Sequence, residues 1–307
     1  MQGGVLPLPY RWQYRVDRWK QAIGGVFGGG EKRPQLCPAC GALVGINATR
    51  CHQCGANLRF GLAVWSKGLA EFFGGHAPVT VAILIANIVI FAAELMGTMQ
   101  TSGIGGLKIL WSMDPEILYR LGGSNGYSVL ELHQWYRLIT AMFLHIGLIH
   151  IGFNMMVLLD IGPIVEELYG SARYLFVYIF TGAVGFALSM LFHPAAGASG
   201  ALMGLIGVLI AVTTKRGGAA MKEMRSRLIS WVISIFVLGY FLGADNYGHF
   251  GGLASGFVLG KLMADRGPLN PTERTRDYLL GWLAGIATLA SFVLMFLHYR
   301  QTPPWLQ

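Results

Sequence analysis

The sequence predicts an all-α polytopic membrane protein, and three observations carry that prediction. Only 12% of the 307 residues are charged while 54% are hydrophobic, against about 25% charged in soluble domains. Apolar runs recur at roughly 79–97, 138–164, 174–192, 199–213, 228–243, 247–264 and 278–297. Each is near the ~20 residues a helix needs to cross hydrocarbon, the fourth and sixth being short or Gly-rich. Lipid offers the backbone no hydrogen bonds, so spans of this kind are helices.

The elements follow in chain order. Residues 10–23 place Trp12, Val16, Trp19 and Ile23 on one helical face with Arg11, Arg15, Arg18 and Lys20 on others, the pattern of an interfacial amphipathic helix. Gly24-Gly25 and Gly28-Gly29-Gly30 then read as a flexible linker, closing a basic segment over 1–30. All four cysteines lie within residues 31–60, as Cys37-Pro-Ala-Cys40 and Cys51-His-Gln-Cys54. Two such knuckles close a tetrahedron of thiolates around one structural zinc, and four Cys ligands leave no open position for catalysis. This clustering predicts a reduced zinc-ribbon-like module and not a disulfide framework. Residues 61–77 form a linker.

Residues 1–76 hold nine Lys/Arg against three Asp/Glu, a net of +6 within a chain total of +8. A basic flank before a membrane domain obeys the positive-inside rule, and no nucleic-acid partner is expected. The first apolar run begins near Val79, beyond the window of a cleavable signal peptide. Between the first two runs, residues 98–137 mix Trp111, Tyr119, Trp135 and Tyr136 with aliphatic residues, which suggests a loop lying in the membrane interface. A further basic loop, 214–227, carries Lys215, Arg216, Lys222, Arg225 and Arg227. Putting it and the N-terminus in the cytoplasm requires one span before residue 98 and four before 214, which leaves the C-terminus outside.

With that orientation the second, fourth and sixth spans run inward. Ser199 then begins the fourth and His249 the sixth, while His145, His150 and Asn154 lie in the first half of the second. Polar residues from three separate segments converge at one depth, and ionisable groups at membrane depth are functional candidates by default. Gly248, Gly252, Gly256 and Gly260 form a ridge on the sixth span, facing Gly200, Gly204 and Gly207 on the fourth. Small-residue ridges let helix backbones approach closely. Docked so, Ser199 becomes a nucleophile and His249 its base. His150 and Asn154, one turn apart, share a face suited to holding an oxyanion with the Ser199 backbone N–H. No carboxylate is placed to orient His249, since Asp245 faces water in this reading; the pair is a dyad.

These residues resemble the rhomboid intramembrane serine proteases over about 78–265, with residues 266–307 adding a seventh span and short tail to give a six-plus-one bundle. Trp135-Tyr136-Arg137 resembles the family's Trp-Arg signature. His145 through Asn154 resembles its His…His…Asn motif, Gly197-Ala198-Ser199-Gly200 its nucleophile motif, and His249-Phe-Gly-Gly252 its sixth-helix histidine and glycine. The resemblance implies Ser199 and His249 as catalytic, His150 and Asn154 at the oxyanion, and no catalytic cofactor. It implies structural roles for Arg137 and His145, which hold the first loop, and for Glu166 in a network near the far end of the second helix. Where the family often has an aromatic residue stacking on the catalytic histidine, this chain has Met203, whose thioether can also pack on imidazole.

The implied reaction is hydrolysis of peptide bonds in or near transmembrane helices of single-span or multi-span membrane proteins, within the bilayer of the cell (inner) membrane, at a site open to the outer side. Two other readings remain: a catalytically inactive relative that binds membrane clients, and a membrane-tethered zinc-ribbon adaptor. Glu94 is expected to reach the interface, Asp160 to mark a solvated helix end, and His76, His133, His193 and His298 to flank spans without a special role.

Overall fold

A computed structural model describes residues 35–36, 43–44, 77–101, 106–265 and 271–299. The chain divides into two compact units, Met1–Gly75 and His76–Gln307. In the first, β1 (Gln35–Leu36) pairs antiparallel with β2 (Leu43–Val44), Gln35 opposite Val44. The amphipathic segment 10–23 and Cys37, Cys40, Cys51 and Cys54 lie outside the described residues.

The second unit is helical. Helix α1 (Pro78–Thr101) starts with Pro at N1, and its free N–H groups at Val79 and Thr80 donate to the Glu166 carboxylate at 2.9 and 2.8 Å. The loop that follows holds a 3₁₀ turn (Gly106–Leu110) and three short helices: α2 (Pro115–Arg120), capped by Asp114; α3 (Gly126–Leu130), capped by Asn125; and α4 (Arg137–Thr140). A second 3₁₀ turn (Ala141–Phe143) leads to α5 (Leu148–Tyr169). Then come α6 (Ser171–Ser189), α7 (Ser199–Arg216), α8 (Ala219–Leu242), α9 (Asn246–Leu262) and α10 (Pro271–His298).

Six of these helices, α1, α5, α6, α7, α8 and α10, are long and apolar enough to cross a membrane. The sixth expected span corresponds to α9, which has 17 residues and is about 26 Å long at 1.5 Å per residue. Its glycines set it against α7, the most enclosed helix. Of the most apolar stretch of α7, 72% is buried, against 11% for α8 and 17% for α10. Helix α7 is therefore the core, packed on α9, α6, α8 and α5.

Two boundaries differ from expectation. The second apolar run predicts one span from residue 138, but its helix begins at Leu148. Residues 137–143 form short helices and Leu144 is extended (ψ 151°), because the buried polar anchors described below hold this backbone where a continuous helix would otherwise run. The basic loop is also shorter. Ala219-Ala-Met-Lys-Glu-Met-Arg are strong helix formers, so Lys222, Arg225 and Arg227 ride on α8, and left-handed Gly217 (φ 66°) and Gly218 (φ 84°) make the turn.

Candidate active site

The site is built where α5, α7 and α9 begin. The chain enters α7 through a short extended stretch, in which Ala195 exchanges backbone hydrogen bonds with Ser124 (3.1 and 2.9 Å) and Gly197 N–H donates to Ala141 O (2.9 Å). Gly197 has φ 142°, a conformation L side chains rarely adopt. A methyl group there would also lie 2.7 and 3.0 Å from His150 Cε1 and Nε2 and 3.7 Å from Ser199 Oγ. Glycine is thus required on both counts, and His150 and the Ser199 hydroxyl border the same small space.

Ser199 is the first residue of α7, so its backbone N–H belongs to the first turn, whose donors have no partner within the helix. His249 sits in the first turn of α9 and is 5% exposed. Its Nε2 lies 2.9 Å from Ser199 Oγ. The distance is that of a hydrogen bond between a hydroxyl and an imidazole nitrogen. His249 Nδ1 has no hydrogen-bond partner among the described residues, so no carboxylate completes a triad. Asp245 acts locally instead. It caps α9 by accepting from Gly248 N–H at 2.8 Å, and its other near neighbour is His193 Nε2 at 3.5 Å.

The backbones of α7 and α9 touch directly. Any Cβ at Gly252 would collide with the Gly200 carbonyl, and one at Gly256 with the Gly204 carbonyl. A Cβ at Gly260 would come within 3.0 Å of Val208 Cα. The expected ridges thus meet over three helical turns, and this close approach sets the Ser199–His249 separation.

His150 accepts a hydrogen bond at Nδ1 from Ile146 N–H (3.4 Å), so in the neutral ring the proton resides on Nε2, beside Gly197. Asn154, one turn on, donates one amide hydrogen to His150 O (3.1 Å), which leaves its second N–H unused by that bond. His145 is fully buried, and its ring meets that of His150 edge-on with centroids 5.2 Å apart. Arg137 is 1% exposed; its guanidinium donates to Gln134 Oε1 (2.6 Å), Tyr119 O (2.7 Å) and Gly123 O (2.9 Å), and lies 4.1 Å from the Tyr119 ring centroid. Its neighbour Trp135 is 52% exposed and takes no part in that cluster. Glu166 is buried at the other end of α5, where it caps α1 and also accepts from Ser171 Oγ (2.6 Å). Met203 is buried within α7.

Three contributors were not anticipated. Glu94, expected at the interface, is completely buried, and its carboxylate accepts the His145 N–H at 3.1 and 3.2 Å. A charged residue inside an apolar helix was the available signal; the broken backbone it serves was not visible in the sequence. Phe236 on α8 meets the His249 ring edge-on, with centroids 6.1 Å apart and an interplanar angle of 80°, so an aromatic neighbour comes from a different helix than the Met203 position suggested. Gln134 carries the Arg137 network, and no spacing pattern marked it.

A hydroxyl and an imidazole within hydrogen-bond distance thus stand at the heads of two interlocked helices in an apolar bundle, the arrangement a serine nucleophile and its base would need. A model of the Rhomboid domain matches residues 132–266, which takes in every motif of the site. The chain is 37% identical over 151 residues to Rhomboid protease GluP of Bacillus subtilis, covering 48% of this chain and 29% of that protein. It is 31% identical over 212 residues to RHOMBOID-like protein 6, mitochondrial, of Arabidopsis thaliana (61% and 69%) and 30% identical over 241 residues to Rhomboid-like protease 2 of Toxoplasma gondii (76% and 82%). The chain belongs to the rhomboid family.

Proposed function

We infer that this chain is an intramembrane serine endopeptidase of the rhomboid type. One observation carries that reading: the 2.9 Å contact between Ser199 Oγ and His249 Nε2. Neutral His249 takes the hydroxyl proton as Oγ attacks the scissile carbonyl carbon. The resulting oxyanion is met by donors from His150 Nε2, the free Asn154 N–H and the Ser199 backbone. Collapse breaks the C–N bond, His249 returns its proton to the leaving amine, and water then hydrolyses the acyl-enzyme by the reverse use of the same base. Because a helical backbone protects its own carbonyls, the substrate segment must unwind first, at least cost where Gly or Pro weakens it.

Membrane-protein substrates and a site facing the outer side complete the proposal, with the N-terminus cytoplasmic and the C-terminus outside. Arg216, Lys215, Lys222, Arg225 and Arg227 cluster around the α7–α8 turn, away from Ser199, which supports that orientation. Helix α8, with little of its surface buried, borders an apolar cleft at Phe236, Val237, Tyr240 and Phe241 beside the site, and is proposed to gate substrate entry. In the N-terminal unit, Cys37, Cys40, Cys51 and Cys54 are proposed to hold a structural zinc. Four thiolates suit that ion, and β1 and β2 bracket the first knuckle in sequence.

The test is fluorophosphonate labelling of the full chain in liposomes, paired with cleavage of single-span substrates. Wild type should label and cleave, and Ser199→Ala should do neither. His249→Ala should lose about 10⁴-fold or more in turnover. A folded wild-type chain that takes no label would instead favour an inactive client-binding relative. A variant lacking the four cysteines should release zinc while keeping the label.

A further inference from the structure

Helix α10 lies outside the rhomboid-domain match and buries little of itself: Leu279, Trp282, Leu283, Ile286 and Leu289 are all exposed. A helix present only to enlarge the core would cover more. One narrow face docks on α6, with Ala284 and Ser291 buried and Gly281 against Ala172, and polar and aromatic contacts mark its two ends.

At its start, Asp277 is buried against Arg173 of α6, with Arg173 Nε 3.1 Å from the Asp277 carboxylate. The same guanidinium is fixed by Tyr169 O (2.7 Å) and Ala264 O (3.0 Å). Near its finish, the His298 ring stacks on Tyr136 (centroids 5.5 Å, interplanar 23°), Phe292 meets Phe143 edge-on (5.4 Å, 66°), and Tyr299 O accepts from Arg120 (3.2 Å). Tyr136 and Phe143 bound the very segment whose Ala141 carbonyl holds Gly197 N–H. Residues 136–143 are therefore clasped between α10 on one side and the entry to Ser199 on the other.

We propose that α10 is a positioning strut for the active site, with His298 the positioning residue that presses residues 136–143 against the Gly197–Ser199 turn. The role rests on the protease reading above. The Arg173–Asp277 pair anchors the foot of the strut, so that the head bears on Tyr136 at a fixed height. The His298 ring reaches Tyr136 by stacking, which its planarity provides, while Nδ1 lies 2.7 Å from Leu294 O within α10 itself.

Two readouts on the full chain in liposomes test this: the rate constant for fluorophosphonate labelling of Ser199, and amide exchange of the peptide covering 190–200. His298→Ala should slow labelling roughly three- to tenfold and speed exchange at Gly197. His298→Phe should restore both. Labelling and exchange at wild-type levels in His298→Ala would overturn the proposal. So would a His298→Phe variant that fails to recover either, since any loss would then be general loosening. If wild type itself resists the probe, the protease reading falls, while the exchange comparison still decides the strut.

Discussion

In the proposed mechanism four side chains, Ser199, His249, His150 and Asn154, would carry the chemistry while the backbone does the positioning. His150 Nδ1 is occupied by Ile146 N–H, which fixes the tautomer that donates at Nε2. His150→Ala and Asn154→Ala are each expected to lower kcat by about 10²-fold with a smaller change in KM, measurable by steady-state cleavage in liposomes. Glu94 belongs to a different class, since it serves the His145 N–H and never meets a reacting atom. Glu94→Ala leaves that buried donor without its partner, so a stability loss of about 1–3 kcal/mol is expected, read as a lowered thermal midpoint, with Glu94→Gln milder. The contact between Ser199 and His249 was legible because reactive residue types stand at the heads of apolar runs. Glu94 was misread because its partner is 51 residues away. Phe236 was invisible because an aromatic residue in a span carries no mark of what it faces.

Among elements, the pairing of α7 with α9 decides the geometry. The four-residue glycine spacing on α9 predicted it, and the structure shows main chain against main chain at Gly252, Gly256 and Gly260. Gly256→Leu would drive a side chain into the Gly204 carbonyl. Overpacking of this sort costs about 1–3 kcal/mol or more and should separate Ser199 from His249. Fluorophosphonate labelling should fall even at temperatures where the variant stays folded by circular dichroism. The start of α5 was less legible. Hydropathy runs unbroken from 138 to 164, whereas the helix waits until Leu148, with the Glu94 carboxylate accepting the His145 N–H and extended Gly147 lying against the Leu110 and Trp111 backbone. That information lies in long-range polar contacts, which an apolar average cannot register.

At the scale of the whole molecule, each end of the bundle has its own closure. Away from the site, Arg216 joins the end of α7 to the stretch after α9, with Nε 2.7 Å from Asp265 Oδ2 and Lys215 Nζ 3.0 Å from Met263 O. The Arg216 hydrogen bond holds the Asp265 carboxyl below its ordinary value. A carboxylate depressed on folding stabilises above its unfolded pKa, and that contribution fades as pH falls through the folded value. Acid titration of the thermal midpoint should therefore show a small decline below about pH 4 that Asp265→Asn flattens. The effect is modest because the pair is largely exposed. At the site end, precision comes from carbonyls and α-carbons lying against one another, which no lipid-facing side chain can disturb. Exposed residues of α10 such as Leu279, Leu283 and Ile286 are therefore free to drift in sequence with the membranes the protein inhabits, while the Ser199–His249 distance stays put. Catalytic register and bilayer adaptation are separable traits in this design.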